Sequence, residues 1–393
     1  MKTLSGEVVT PAGLVAARVE IDGDRIAAVA TMERPGPVVI LPGFIDLHCH
    51  GGGGADVMDG GAAVRRVAET HAAHGTTSLL ATTMTAPPDE IEAALSGIGD
   101  AMASPAEGGA SVLGVHLEGP FISRDRLGAQ PDFALAGDAG LMRRFCDLAP
   151  VRVVTLAAEA DPRGTLAAFL RARGIRVQLG HSSCDYETAA ARFAADIDGV
   201  THLFNAMTGL HHRAPGIVGA ALAHLDHAEL IPDLLHVHPG AIRAALRAIP
   251  GLYAVTDGSA ASGMPDGTYQ LGRQSVRKCE NGVRLADGTL AGSCLTMLDG
   301  FRNLVAIGLS IDEASRRTAT IPADYLGLGD RGRIEVGRRA DLVVLNSDLT
   351  LLDVLVAGKT VLAVSGANLT FDSRLPQASL SNVKFKAPLE LKS

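Results

Sequence analysis

Between residues 38 and 256 of this 393-residue chain, short apolar runs alternate with amphipathic stretches, and that rhythm leaves few folds open. Strand-like runs fall at 38–41 with 44–47, then at 76–81, 112–117, 151–157, 175–179, 200–204, 230–237 and 252–256. Their length and β-branched content suit buried strands. Between them, Val64, Val67, Ala68 and Ala72 share one helical face that Gly75 ends, and residues 89–102, 165–173 and 241–248 are also helical in pattern. Parallel strands need crossover connections, and helices supply them. The chain is therefore predicted to be α/β, with eight β/α units over about 250 to 290 residues closing into a (β/α)8, TIM-like barrel.

The two ends have another texture. Val8, Val9, Val19, Ile21, Ile26 and Val29 come in short bursts separated by turns such as Asp22-Gly23-Asp24, and residues 332–345 and 354–362 behave alike. One small discontinuous β-sandwich domain, formed by 1–41 and 336–373, is expected beside a barrel at 42–335. Asp-Gly pairs at 266–267 and 287–288 predict a hairpin insertion at about 264–290, after the eighth strand. Residues 374–393 shift towards Lys, Ser and Asn and read as a tail.

The formal charge is -8, and of 35 basic residues only Lys2, Lys278, Lys359, Lys384, Lys386 and Lys392 are lysines, which leaves 29 arginines. No dense basic run is present, so nucleic acid and anionic membranes are not expected partners; a local anion site stays open. Five scattered cysteines without a C-x-x-C pair suit reduced thiols. With neither a signal-like h-region nor an apolar stretch of about 18 residues, the expected location is cytoplasmic.

All 13 histidines lie between His48 and His238. Gly43-Phe-Ile-Asp-Leu-His-Cys-His50 puts two of them at the end of an apolar strand, where alternation points His48 and His50 into one cavity. Glu118, His181, His202 and Asp257 sit where further strands end, at the rim where barrel enzymes place their chemistry. Any one alone is better explained as a hydrogen-bonded polar residue. Together they form a coherent ligand set for Zn, Fe, Mn or Co.

His48-x-His50, His116-Leu-Glu-Gly-Pro120, Leu179-Gly-His-Ser182, Thr201-His-Leu-Phe-Asn-Ala-Met207, Val255-Thr-Asp257 and Leu290-Ala-Gly-Ser293, in this order, resemble the N-acetylglucosamine-6-phosphate deacetylases of the amidohydrolase superfamily over about residues 40 to 345. The resemblance implies a barrel of the amidohydrolase type. It also implies metal-dependent hydrolysis of the acetamide of N-acetyl-D-glucosamine 6-phosphate to D-glucosamine 6-phosphate and acetate. Glu118, His181 and His202 would hold the main divalent ion and His48 with His50 a second, giving one or two per subunit. Amidohydrolases that bridge two ions through a carboxylated barrel lysine have no counterpart here, because no lysine lies between Lys2 and Lys278. A glutamate-bridged site remains.

A bound ion lowers the pKa of its water towards about 7, so that hydroxide can attack at neutral pH. Asp257 would take the water's proton and return it to the leaving amine. By the same resemblance, Asn205, Ala206, Arg213 and His236 match positions that contact the phosphorylated sugar, and Ala291, Gly292, Ser293 and Cys294 a loop lining the substrate. Arg213 would reach in from a neighbouring subunit, which implies a homodimer. Gln130 stands where many relatives carry a substrate-binding histidine and cannot become cationic. Rival readings are an N-acetylgalactosamine-6-phosphate deacetylase, a hydrolase of another small amide, and a catalytically inactive relative serving as a structural or binding oligomer.

Overall fold

Eight parallel strands carry the middle of the chain: β1 (Phe44–Cys49), β2 (Thr76–Thr83), β3 (Ser111–Glu118), β4 (Val151–Leu156), β5 (Arg176–Leu179), β6 (Gly199–Val200), β7 (His227–Leu230) and β8 (Gly251–Ala254). The structure is a computed structural model that describes residues 1–279 and 282–361, so positions 362–373 of the expected small domain and the 374–393 tail lie outside the described residues. Strands β1 to β6 form one sheet in sequence order, and β7 pairs with β8. The ring is completed by Leu203 N donating to Glu229 O at 2.9 Å, and by Asp257 N donating to His48 O and His50 N to Gly258 O, each at 2.9 Å.

A helix follows every strand: α1 (Gly61–Ala72), α2 (Pro88–Ala103), α3 (Ala139–Leu148), α4 (Thr165–Arg171), α5 (Tyr186–Ala195), α6 (Gly216–His224), α7 (Pro239–Ala248) and α8 (Met297–Ala306). The sequence explains them locally. Helix α1 buries the expected face of Val64, Val67, Ala68 and Ala72, and α2 starts on Pro88 with Asp89 and Glu90 in its first turn, where the exposed N–H groups favour negative charge.

Two strands sit elsewhere than expected. Strand β7 ends where the 230–237 run begins, and β6 stops at Val200 rather than continuing to 204. Past those points the backbone turns left-handed, with positive φ at His202, Phe204, Ala206 and Leu234, which no ladder accommodates. The 38–41 run also does not open the barrel: Val39–Pro42 pairs with Lys2–Thr10 and Leu342–Leu345 instead.

Those strands belong to a seven-stranded mixed sheet drawn from both termini, ordered Lys359–Thr360, Leu351–Val356, Leu342–Leu345, Val39–Pro42, Lys2–Thr10, Gly13–Asp22 and Arg25–Thr31. It has its own core, including Val8, Val19, Ile21, Ile40 and Leu342. The insertion after β8 is a three-stranded antiparallel meander, Gly267–Leu271, Gln274–Cys279 and Gly282–Arg284, where two strands were expected. Among the described residues, no helix is long and apolar enough to cross a membrane.

Candidate metal centre and active site

The six motif residues meet at the carboxyl end of the barrel. His48 lies within β1 and His50 immediately after it, while Glu118 is the last residue of β3; His181, His202 and Asp257 sit just beyond β5, β6 and β8. All six are buried, from 0% exposed for His48 to 8% for Asp257. His181, His202 and Asp257 have φ of 47°, 29° and 49°. Each such backbone costs on the order of 1 kcal/mol or more in a residue with a Cβ, and such outliers gather where geometry serves function. Cys49 faces the other way, with its Sγ 3.2 Å from His71 Nε2.

Two clusters share Glu118. On one side Glu118 Oε1 lies 3.2 Å from His181 Nε2 and 3.1 Å from His202 Nε2, which are themselves 3.1 Å apart. On the other, His50 Nε2 is 3.2 Å from both Glu118 Oε2 and Asp257 Oδ1, and 3.1 Å from His48 Nε2. Each cluster brings three ligand atoms within 4.8 Å of one another.

The rings are oriented for cation binding. His50 Nδ1 lies 3.2 Å from the carbonyl of Thr82, His181 Nδ1 2.7 Å from that of Arg126, and His48 Nδ1 3.0 Å from Glu229 Oε2. These oxygens accept, so Nδ1 carries the proton and a neutral ring turns its Nε2 lone pair inward. Lone pairs 3.1 Å apart with two carboxylates between them are reconciled by a positive charge at the centre, and the donor set therefore fits a divalent cation. His202 Nδ1 alone of the four has no partner among the described residues.

The buried carboxylates of the site also favour positive charge at its centre. Burial opposes charge on His48, but Glu118, Asp257 and Glu229 push it well above the usual imidazole range. Burial is likewise outweighed at His50, which is pushed up to about 9 by hydrogen bonds to Asp257 and Glu118. It is outweighed again at Glu118, which His48 and His181 hold well below the ordinary carboxylate range. Behind them, burial raises Asp46 to about 6; its carboxyl accepts from Thr256 Oγ1 and the main-chain N–H groups of Thr256 and His48, tying β1 to the segment after β8.

A cavity of about 210 Å³ opens over the clusters and is lined by Gln130, Asn205, Ala206, His236 and Gly292 of the expected substrate residues. Gln130 is engaged on both sides, donating to Glu118 Oε2 and accepting from Thr85 N. His236 is held by Asp233, whose carboxylate accepts from its Nδ1 at 2.6 Å and its main-chain N at 2.8 Å. Ala291 is buried against Met84 and Leu271; Ser293 donates from Oγ to Thr256 O and from N to Asp257 O, supporting the aspartate's backbone. Cys294 is half-buried beside that cluster, and neither Ala291, Ser293 nor Cys294 faces the cavity. Arg213 lies outside on an exposed loop, its Nη1 2.6 Å from His212 Nε2. Sequence reasoning passed over Asp233, Glu229 and the apolar wall of Met84 and Leu271, which the meander closes.

Residues 39–361 match the family described as Amidohydrolase family. The chain is 37% identical over 359 residues to the N-acetylglucosamine-6-phosphate deacetylase of Vibrio furnissii, covering 89% of this chain and 88% of the relative. It is 38% identical over 329 residues to the N-acetylgalactosamine-6-phosphate deacetylase of Escherichia coli O157:H7, covering 82% and 87%. A solved variant of the N-acetyl-D-glucosamine-6-phosphate deacetylase from Mycobacterium smegmatis, in complex with N-acetyl-D-glucosamine-6-phosphate, superposes with a TM-score of 0.85 at 34% identity, covering 92% of this chain and 99% of that one. A barrel with buried His, Glu and Asp clusters at its carboxyl rim, matched along nearly its whole length, places this chain in the amidohydrolase family.

Proposed function

We propose that the protein hydrolyses the acetamide of N-acetyl-D-glucosamine 6-phosphate to D-glucosamine 6-phosphate and acetate. The observation that carries this reading is Asp257, whose carboxylate lies 3.2 Å from His50 Nε2 and lines a cavity shared with Glu118, His181 and His202. The likeness to deacetylases of two phosphorylated amino sugars supports the substrate class.

Glu118, His181 and His202 would hold the main divalent ion, Zn, Fe, Mn or Co, and His48, His50 and Asp257 a second, with Glu118 between them. Such an ion supplies Lewis acidity towards the acetamide carbonyl and makes water more acidic. Asp257 accepts the proton of the water that adds to the carbonyl carbon. It then delivers that proton to the nitrogen as the C–N bond breaks, so that the amine leaves neutral. Met84 and Leu271 give the cavity an apolar wall.

Around the sugar, His236 presents Nε2 to the cavity because Asp233 holds Nδ1, while Asn205, Ala206 and Gly292 shape the wall. Gln130 acts mainly through Glu118, whose Oε2 takes its amide N–H. Ala291, Ser293 and Cys294 support this loop from behind. Arg213 grips the phosphate of a neighbouring subunit in a homodimer; its exposed loop and Leu210 beside it, 60% exposed, suit a subunit contact. Five cysteines without disulfides are compatible with a cytoplasmic enzyme.

Acetate release from a panel of N-acetylated sugars with and without 6-phosphate tests this reading. Preference for the phosphorylated glucosamine derivative supports it, and equal rates on plain sugars reject the phosphate grip. The relative from Escherichia coli keeps the galactosamine isomer as the second reading, and the same panel separates the two.

A further inference from the structure

Glu229, on β7, is fully buried and does not line the cavity. Its Oε2 accepts from His48 Nδ1 at 3.0 Å and from the main-chain N of His202 at 3.3 Å, and its Oε1 accepts from the Tyr253 hydroxyl at 3.4 Å. One carboxylate thus touches the ring of one candidate ligand and the backbone of another. We propose that Glu229 is a positioning residue that fixes His48 as an Nε2 ligand and thereby makes the inner cation site, His48 with His50 and Asp257, competent to bind. This rests on the two-site reading above.

An imidazole can turn either nitrogen to a metal, and the partner of the other decides which. At His50 and His181 that partner is a main-chain carbonyl, of Thr82 and Arg126. At His48 it is a carboxylate, which holds the N–H more strongly and makes the opposite nitrogen a better donor. The position explains the need. His48 is 0% exposed, so bulk water cannot reach its Nδ1, and the carbonyl of Glu229 is already taken by Leu203 N.

His116 packs edge-on against His48 with ring centroids 4.5 Å apart, yet it cannot substitute. Its Nδ1 donates to Leu47 O at 3.0 Å and its Nε2 pairs with Thr155 Oγ1 at 2.8 Å. His48, His116 and Glu229 are close enough to hold an ion themselves, but both ring nitrogens of His116 are committed, which leaves Glu229 to serve His48.

Calorimetric titration of metal-stripped full-length protein with Zn²⁺ tests the assignment. Glu229→Gln removes the charge and keeps a carbonyl acceptor, and Glu229→Met removes the acceptor at similar volume. The wild type is expected to bind two equivalents. One of them weakens about 10-fold in the Gln variant and about 100-fold in the Met variant, the range seen when the partner of a metal-bound histidine is removed. The other equivalent stays within about twofold, and His48→Ala abolishes the same equivalent that the Glu229 variants weaken. Two unchanged equivalents in Glu229→Gln and Glu229→Met overturn the proposal, as does equal weakening of both, which marks a merely structural role. If Glu229→Met does not fold, Glu229→Gln alone decides. A wild type that binds one equivalent fails at the underlying two-site reading instead, and the titration distinguishes that failure from the others.

Discussion

The two halves of the site are built on different principles. His181 and His202 sit beyond the ends of their strands, on left-handed backbone, and their rings face the cavity. His48 and His50 are carried by one strand and its immediate continuation, and His48 is sealed behind its neighbour. The outer half is accessible but rests on strained backbone that its surroundings must impose. The two inner histidines rest on regular backbone, and built-in acceptors, Glu229 for His48 and the Thr82 carbonyl for His50, orient their rings. Strained backbone carries the histidines of one cluster and regular backbone those of the other, and Glu118 is common to both.

The largest expected effect falls where the halves meet. Asp257→Asn should lower kcat/KM by about 10²- to 10⁴-fold, the usual contribution of a positioned acid–base group, while metal analysis of the purified protein still finds the ion held by Glu118, His181 and His202. Next, His202→Ala should cost at least about 100-fold in activity through loss of the outer ion, whereas His48→Ala should cost only about tenfold. Equal losses in steady-state kinetics would break the comparison. Chelation should lower the melting temperature by roughly 5 °C in thermal unfolding, because a ligand at about 100 times its Kd contributes about 2.7 kcal/mol. Last, Gly51→Ala tests the rigidity of the inner half. A Cβ there would lie 2.6 Å from both Ala260 N and Ala55 O, and the expected loss is about 1–3 kcal/mol by denaturant titration.

The barrel and the six motif residues were legible because side-chain type and strand-end position are written in the sequence. The acceptors were not. The carbonyls of Thr82 and Arg126 orient His50 and His181, but every residue has a carbonyl, so no residue type marks them. Glu229 was hidden for a different reason. The apolar run at 230–237 reads as a strand, which puts Glu229 outside the seventh strand, whereas β7 is His227–Leu230 and ends just after it. The run that misled becomes a rim loop with Leu234 at φ 65° and Asp233 holding His236. Arg213 is a third kind of case: its expected partner is a second subunit, and a single chain leaves it on an exposed loop.

The central claim is that Asp257, over a metal-loaded cluster, moves the proton that releases acetate. The most direct measurement is acetate release from N-acetyl-D-glucosamine 6-phosphate by wild-type and Asp257→Asn protein, with bound metal counted in the same samples. The account predicts that both proteins keep the ion of Glu118, His181 and His202 and that only the wild type releases acetate. Comparable acetate release from both, or none from a fully metal-loaded wild type, would contradict it.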